Sequence, residues 1–326
     1  MGLRSIFLDG LLREIDLNNK SLSKDDSGVL FYESSNPFEF FHILNSNEIE
    51  KQNMFGSLLF PQQKKDVYPL VVCIHGSFGW RGHHHEHMVN FLKAGMAVFR
   101  VHSFEARNVN SVVEDQMQVT LASMISDAFN SLIFLKTHPK IDANRIAIAG
   151  WSLGGSTSLY SAWEPLASKL APNGERFNAH LAFYPAAHIW PEDMSWNNAP
   201  ILALTGEIDD YTRPILLKKL SKAINEASGS MNAIYYPDSH HAFDSIEPVT
   251  YVENAITAGE RHSYIDKDGN LYFENDSGER FLLNEPEQRL SLFNESKNIK
   301  GAHLGVNWEM RERSMKDAVD FLLSKI

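Results

Sequence analysis

The chain has 326 residues, 43% of them hydrophobic and 22% charged, which allows a substantial core and excludes a largely disordered chain. Its formal net charge of -11 argues against a nucleic-acid partner, because duplex binders carry a basic surplus. The single cysteine, Cys73, excludes an internal disulfide and any cysteine-rich zinc site, and it fits a reducing compartment.

At the N-terminus the apolar stretch from Ile6 to Leu12 is interrupted by Asp9. Arg13 and Glu14 follow it, with no small-residue cleavage site, so an export signal is not expected. No uninterrupted run of about 18 apolar residues occurs, so no membrane-spanning helix is expected, and the default location is the cytoplasm. Residues 1–27 are polar and read as a loose arm. Gly28 to Tyr32 and Phe55 to Phe60 read as short strands, and Pro61 to Asp66 as a charged turn.

The texture then changes. Tyr68 to Ile74 (YPLVVCI) is a continuous, partly β-branched apolar run of the kind buried on both faces of a parallel sheet. Met96 to Val101, Arg145 to Ala149, His180 to Tyr184, Ile201 to Thr205 and Ala233 to Tyr236 repeat the pattern. Helix-like periodicity separates them at His87 to Lys93, Ser111 to Thr137, Ser156 to Ala162, Pro214 to Ala227 and Met310 to Leu323. This alternation predicts an α/β fold with a mainly parallel central sheet flanked by helices on both faces. Residues 251–300 break the rhythm. Asp268-Gly269 between aromatic and aliphatic residues signals a hairpin, so this stretch reads as a late surface insertion, a hairpin or partial lid. Asp266 to Asn270 is not a calcium loop, because such a loop needs Gly at 271 and Glu at 277, where Leu271 and Ser277 stand. The whole of 1–326 reads as one domain, with 1–54 supplying the arm and an edge strand.

Gly150-Trp151-Ser152-Leu153-Gly154 is a G-x-S-x-G pattern that follows a buried strand and opens a small-residue helix. That is the context of a nucleophile elbow, in which the serine hydroxyl projects from a tight turn and the glycines admit the crossing backbone. A serine needs a base and a group to orient that base, in the order Ser, acid, His for this architecture. Glu207, Asp209 and Asp210 follow one buried strand, and His240 and His241 follow the next; the spacing leaves the choice among them open. Backbone N–H groups for a developing oxyanion are expected from Leu153 and from Ser77 or Phe78, in the His75-Gly76-Ser77 turn after an early strand.

These pieces together resemble the dienelactone hydrolase family of the α/β-hydrolase superfamily. The resemblance runs through Tyr68 to Val72 and His75-Gly76-Ser77, then Ser103 to Arg107, Pro139 to Ile146 leading into the elbow, Gly206 to Asp210, and His241-Ala242-Phe243. It covers about Gly56 to Pro248 and Lys300 to Ile326. It implies an α/β-hydrolase fold, with His241 as the base because it precedes Ala-Phe, and Asp209 as the acid because it stands three residues after Gly206. The namesake enzymes carry a cysteine nucleophile where this chain has Ser152, which points to a serine carboxylic-ester or lactone hydrolase working through an acyl-enzyme. A same-site acyltransferase or peptidase-like enzyme, or a non-catalytic binding protein on this scaffold, are the alternatives.

Arg107 is a candidate for gripping a substrate carboxylate, or else pairs with an acid such as Asp115. Trp80, Trp151 and Phe78 are candidate apolar walls. The segment Arg81 to His87 (RGHHHEH) departs from H-E-x-x-H, because Val89 stands where the second histidine belongs. His83 and His87, at i and i+4 with Glu86 near, suit either a metal or the polar rim of the cleft, and the rim is the expectation. The expected partner is a small ester or lactone, with no cofactor, metal, nucleic acid or membrane, and the oligomeric state is left open.

Overall fold

Tyr68–Ile74 forms a strand, β3, buried at all 7 positions. Leu70, Val72 and Ile74 enter one core cluster, while Val71 and Cys73 enter another on the opposite face. Burial on both faces is the environment that a continuous apolar strand requires. The computed structural model describes residues 21–46, 48–257, 259–295 and 300–326.

Around β3 lie β1 (Gly28–Ser35), β2 (Lys51–Leu59), β4 (Ala97–Val101), β5 (Ile141–Trp151), β6 (Ala179–Phe183), β8 (Ile201–Gly206) and β9 (Met231–Tyr236). They form an 8-stranded sheet in the order β1-β2-β4-β3-β5-β6-β8-β9. The pairings are antiparallel from β1 through β2 to β4 and parallel from β4 onward. Helices α2 (Gly82–Lys93) and α8 (Trp308–Lys325) bring Met88, Phe91, Ala318 and Leu322 to one face. The other face is covered by α1 (Phe40–Asn45), α3 (Leu121–Leu135), α4 (Leu153–Tyr160), α5 (Glu164–Leu170) and α6 (Pro214–Glu226). This is the α/β-hydrolase arrangement. No helix among the described residues is long and apolar enough to cross a membrane.

The edge strand expected within 1–54 is β1, and α1 lies beyond it. Residues 1–20, most of the expected arm, lie outside the described residues. The expected helix from Ser111 begins only at Leu121. In the preceding stretch Ser111 and Asp115 accept hydrogen bonds from the backbone of Val113 and Met117, and Gln116 adopts a positive φ of 55°. Such local side-chain turns compete with helix formation.

Residues 250–304 build more than a hairpin. β10 (Thr250–Ile256) and β14 (Lys300–Leu304) form an antiparallel ribbon. β11 (Ser263–Ile265), β12 (Leu271–Glu274) and β13 (Arg280–Leu282) extend β7 (Ile189–Pro191) into a 4-stranded sheet, and α7 (Pro286–Glu295) follows. The Asp266 to Asn270 segment is the β11–β12 turn, with Asp266 Oδ1 accepting from the N–H groups of Asp268 and Asn270. The insertion is tied to α1 at several points. Asn45 Nδ2 donates to the Asp268 carbonyl at 2.9 Å, His42 Nε2 lies 3.4 Å from a Glu285 carboxylate oxygen, and Arg289 of α7 forms an ion pair with Glu39, the N-cap of α1.

Thr120, the N-cap of α3, accepts from Ser123 N and donates to the Pro37 carbonyl, and it is buried. Thr120→Ala is expected to lower the unfolding free energy by about 1–2 kcal/mol, read as a reduced midpoint in urea.

Candidate active site

Between β5 and α4, Ser152 has φ 56° and ψ −114°. A non-glycine residue in such a conformation costs of order 1–3 kcal/mol and persists only where its surroundings hold it. They hold it here. Ser152 N donates to the Phe183 carbonyl at 3.0 Å, and its own carbonyl accepts from Ser156 N at 2.8 Å. A Cβ on Gly150 would lie 1.9 Å from the Gly154 carbonyl oxygen, and one on Gly154 would lie 2.2 Å from that of Ile74. Strand and helix therefore cross at a separation that only glycine permits.

Loops at the same end of the sheet bring two further side chains to Ser152. His241, after β9, sets Nε2 2.8 Å from Ser152 Oγ. Its Nδ1 lies 2.8 Å from Oδ2 of Asp209, after β8. A carboxylate at that distance makes Nδ1 the protonated nitrogen, which leaves Nε2 free to accept the serine hydroxyl proton. Asp209 and His241 are both buried. Asp209 Oδ1 accepts from Tyr211 N and Thr212 N, each at 2.8 Å, and the Thr212 hydroxyl lies 2.9 Å from Oδ2 and 3.1 Å from His241 Nδ1. The rings of Tyr184 and Tyr211 stand against the imidazole at 4.5 and 4.7 Å between centroids. Thr212, Tyr184 and Tyr211 were not legible as site residues; the threonine's place three residues after Asp209 is the one local cue.

Of the other candidates at the sheet end, Glu207 is exposed and Asp210 and His240 turn toward a different partner, His303. Ser152 opens onto a cavity of about 700 Å3, within the range of small-molecule sites. Ser77 and Leu153 line it beside Ser152, whereas Phe78 is partly exposed and is not among the described lining residues. The insertion supplies much of the remaining wall, with Ile256, Leu271, Phe273 and Leu283 on apolar faces and Arg261 and His262 among the polar groups. Burial first, then Arg289 and His262, pushes His188 on this wall down to about 4, so it stands neutral at pH 7.

Residues 55–263, nearly two thirds of the chain, match the model of the dienelactone hydrolase family. The chain belongs to the dienelactone hydrolase family. It is therefore a hydrolase by family, although the match stops short of the C-terminal segment from Lys300 that the sequence resemblance included. A candidate carboxymethylenebutenolidase of Yersinia pestis is 24% identical over 213 residues, spanning 62% of this chain and 78% of the relative. A second, from Methylorubrum extorquens, is 28% identical over 140 residues, 42% of this chain and 47% of the relative. Among solved structures, a dienelactone hydrolase-like promiscuous phosphotriesterase from metagenomic libraries is similar with a TM-score of 0.52 and 14% identity. That comparison covers 91% of this chain and 99% of the other.

Within this member of the dienelactone hydrolase family, the expected substrate contacts lie elsewhere. Arg107 forms a bidentate pair with Asp127, at 2.7 and 2.9 Å, and its Nε donates to Asn36 Oδ1. Asp127 is buried and also accepts from Ser34 and Ser103 at 2.7 Å. Arg107 thus ties β1, α3 and the segment after β4 together and does not face the cavity; its partner is Asp127 and not Asp115. Trp151 is fully buried and stacks on Phe183, and Trp80 donates its N–H to the Val101 carbonyl; both are packing residues outside the cavity lining.

The histidine segment is not a rim either. His83, His84 and His87 are buried, with His87 Nε2 3.0 Å from Asp244, whose other oxygen accepts from the Tyr184 hydroxyl at 3.0 Å. Burial alone would raise the Asp244 carboxyl, but His83, His87 and Tyr184 outweigh it and hold it at about 2. Helical spacing placed these histidines on the inner face of α2, where that carboxylate meets them.

Removing one partner of a buried charge pair leaves the other uncompensated. Arg107→Ala is expected to cost about 3–5 kcal/mol in urea unfolding, while Arg107→Lys loses the bidentate geometry and sits between the two.

Proposed function

We propose that this chain hydrolyses carboxylic esters or lactones through an acyl-enzyme on Ser152. The observation that carries the reading is the continuous hydrogen-bonded line from Ser152 Oγ, on the cavity wall, through His241 to Asp209. His241 Nε2 takes the serine proton as Oγ attacks the substrate carbonyl. Asp209 holds the imidazole in the required tautomer and stabilises the imidazolium. The N–H groups of Leu153, at the start of α4, and of Ser77 or Phe78 are assigned to the oxyanion, where the helix N-terminus also favours negative charge. The imidazolium then protonates the leaving alkoxide. Water, activated by the same imidazole, attacks the acyl carbonyl and releases the acid with Ser152 restored.

Two further features support serine chemistry. Cys73 is sealed inside β3, and burial pushes its thiol well above the ordinary range, so it offers no thiolate. The mainly apolar cavity suits an uncharged acyl or alkyl group beside the reacting carbonyl.

Ser152→Ala is expected to lower turnover of a chromogenic ester by at least about a thousandfold with an unchanged melting profile, and to abolish stoichiometric labelling by a fluorophosphonate. Equal turnover in the variant would end the assignment, and absence of labelling in the wild type would favour a binding protein. Thr212→Val, which removes a hydroxyl from Asp209, is expected to lower kcat roughly tenfold with KM little changed, as the loss of about one hydrogen bond to a charged group predicts. A change confined to KM would place Thr212 in binding and not in positioning.

A further inference from the structure

Asp210 and His240 are the immediate neighbours of Asp209 and His241, yet they face away from Ser152 toward a third residue. His303 sits on β14, opposite Tyr251 of β10 in the ribbon, and the Tyr251 ring lies 4.9 Å from its imidazole. Its backbone N–H and its Nδ1 both contact the Asp210 carboxylate, at 2.8 and 2.7 Å. The His240 ring lies 5.2 Å from that of His303, inclined by 33°. One ligating atom from each of Asp210, His240 and His303 falls within a sphere of contacts no longer than 4.8 Å. His240 Nδ1 is buried and has no hydrogen-bond partner among the described residues.

We propose that Asp210, His240 and His303 form a binding site for one divalent first-row cation of zinc type. Two imidazoles and a carboxylate are a donor set that such ions take, with one or more positions left to water. Bonds of about 2.0–2.2 Å in a tetrahedral shell put ligand atoms about 3.4 Å apart. The hydrogen-bonded pair would therefore open by less than about 1 Å, and the farther contacts would close by little more. All three side chains are partly accessible, so the ion enters from solvent without passing through the cavity.

The cation joins three chain segments. One is the loop after β8 that carries Asp209, another is the loop after β9 that carries His241, and the third is the strand that returns from the insertion. β14 already runs beside His241, with Leu304 bridged to it in parallel and Gly305 N donating to the His241 carbonyl at 2.9 Å. Occupancy would fasten the returning strand to both loops at once. The proposal does not rest on the esterase reading, because none of its ligands touches Ser152.

The test uses the full chain stripped with a chelator and titrated with Zn2+ by calorimetry, with Co2+ as a spectroscopic probe. One equivalent should bind with micromolar or tighter Kd and raise Tm, and bound Co2+ should give visible absorption bands. His303→Ala and Asp210→Asn should each weaken Zn2+ binding by at least about tenfold and abolish those bands. Circular dichroism of the metal-free variants checks their fold; should one fail, the other and His240→Asn carry the comparison. No uptake by the wild type, or uptake unchanged in the folded variants, overturns the proposal. Fluorophosphonate labelling of the wild type is measured in parallel, so that the fate of the serine reading is decided separately.

Discussion

The positive φ of Ser152 is the constraint on which the site depends. The strand ends and the helix begins on either side of one residue, and the two cross so closely that a methyl group on Gly150 or Gly154 would overlap backbone oxygen. The strain is held by hydrogen bonds to β6 and within α4 and by the packed strands beneath them. Those strands are rigid because each is buried on both faces, with alternate side chains feeding separate cores. The sheet therefore fixes where the hydroxyl points, and the loops after β8 and β9 need only bring a carboxylate and an imidazole to a point already set.

That division explains which features were legible in the sequence. The central strands announce themselves as unbroken apolar runs because a parallel sheet with helices on both sides leaves no polar face. The elbow is legible because its glycines answer a purely local steric demand. His241 and His240 are not separable by local chemistry, nor are Asp209 and Asp210; only the family's spacing singled out one of each pair, and in the structure the chosen pair faces Ser152 while the other faces His303.

Most of the misreadings come from dependence on distant partners, and one from local side-chain turns. Arg107 looks like an anion grip until Asp127, on a different element, neutralises it, and the α2 histidines look like a rim until Asp244 meets them from the loop after β9. Helical periodicity from Ser111 onward is overruled by side-chain turns ahead of Thr120. The Asp210, His240 and His303 grouping spans residues separated by as many as 93 positions and matches no sequence spacing. The same holds for the insertion, whose short strands find their place only by adding to β7.

The ties between the insertion and α1 have a consequence for how such a molecule diversifies. The atoms proposed for bond breaking come from the strand ends of the main sheet, whereas much of the wall above them comes from residues 250–295 leaning on a helix near residue 40. The proposed chemistry and much of the cavity wall thus come from separate stretches of sequence with separate anchors. Exchange of the later stretch between relatives, together with its contacts on α1, would alter the cavity wall while leaving the strained turn and its loops as they are. In this architecture a new preference can arise by inheritance of a roof, without redesign of the floor.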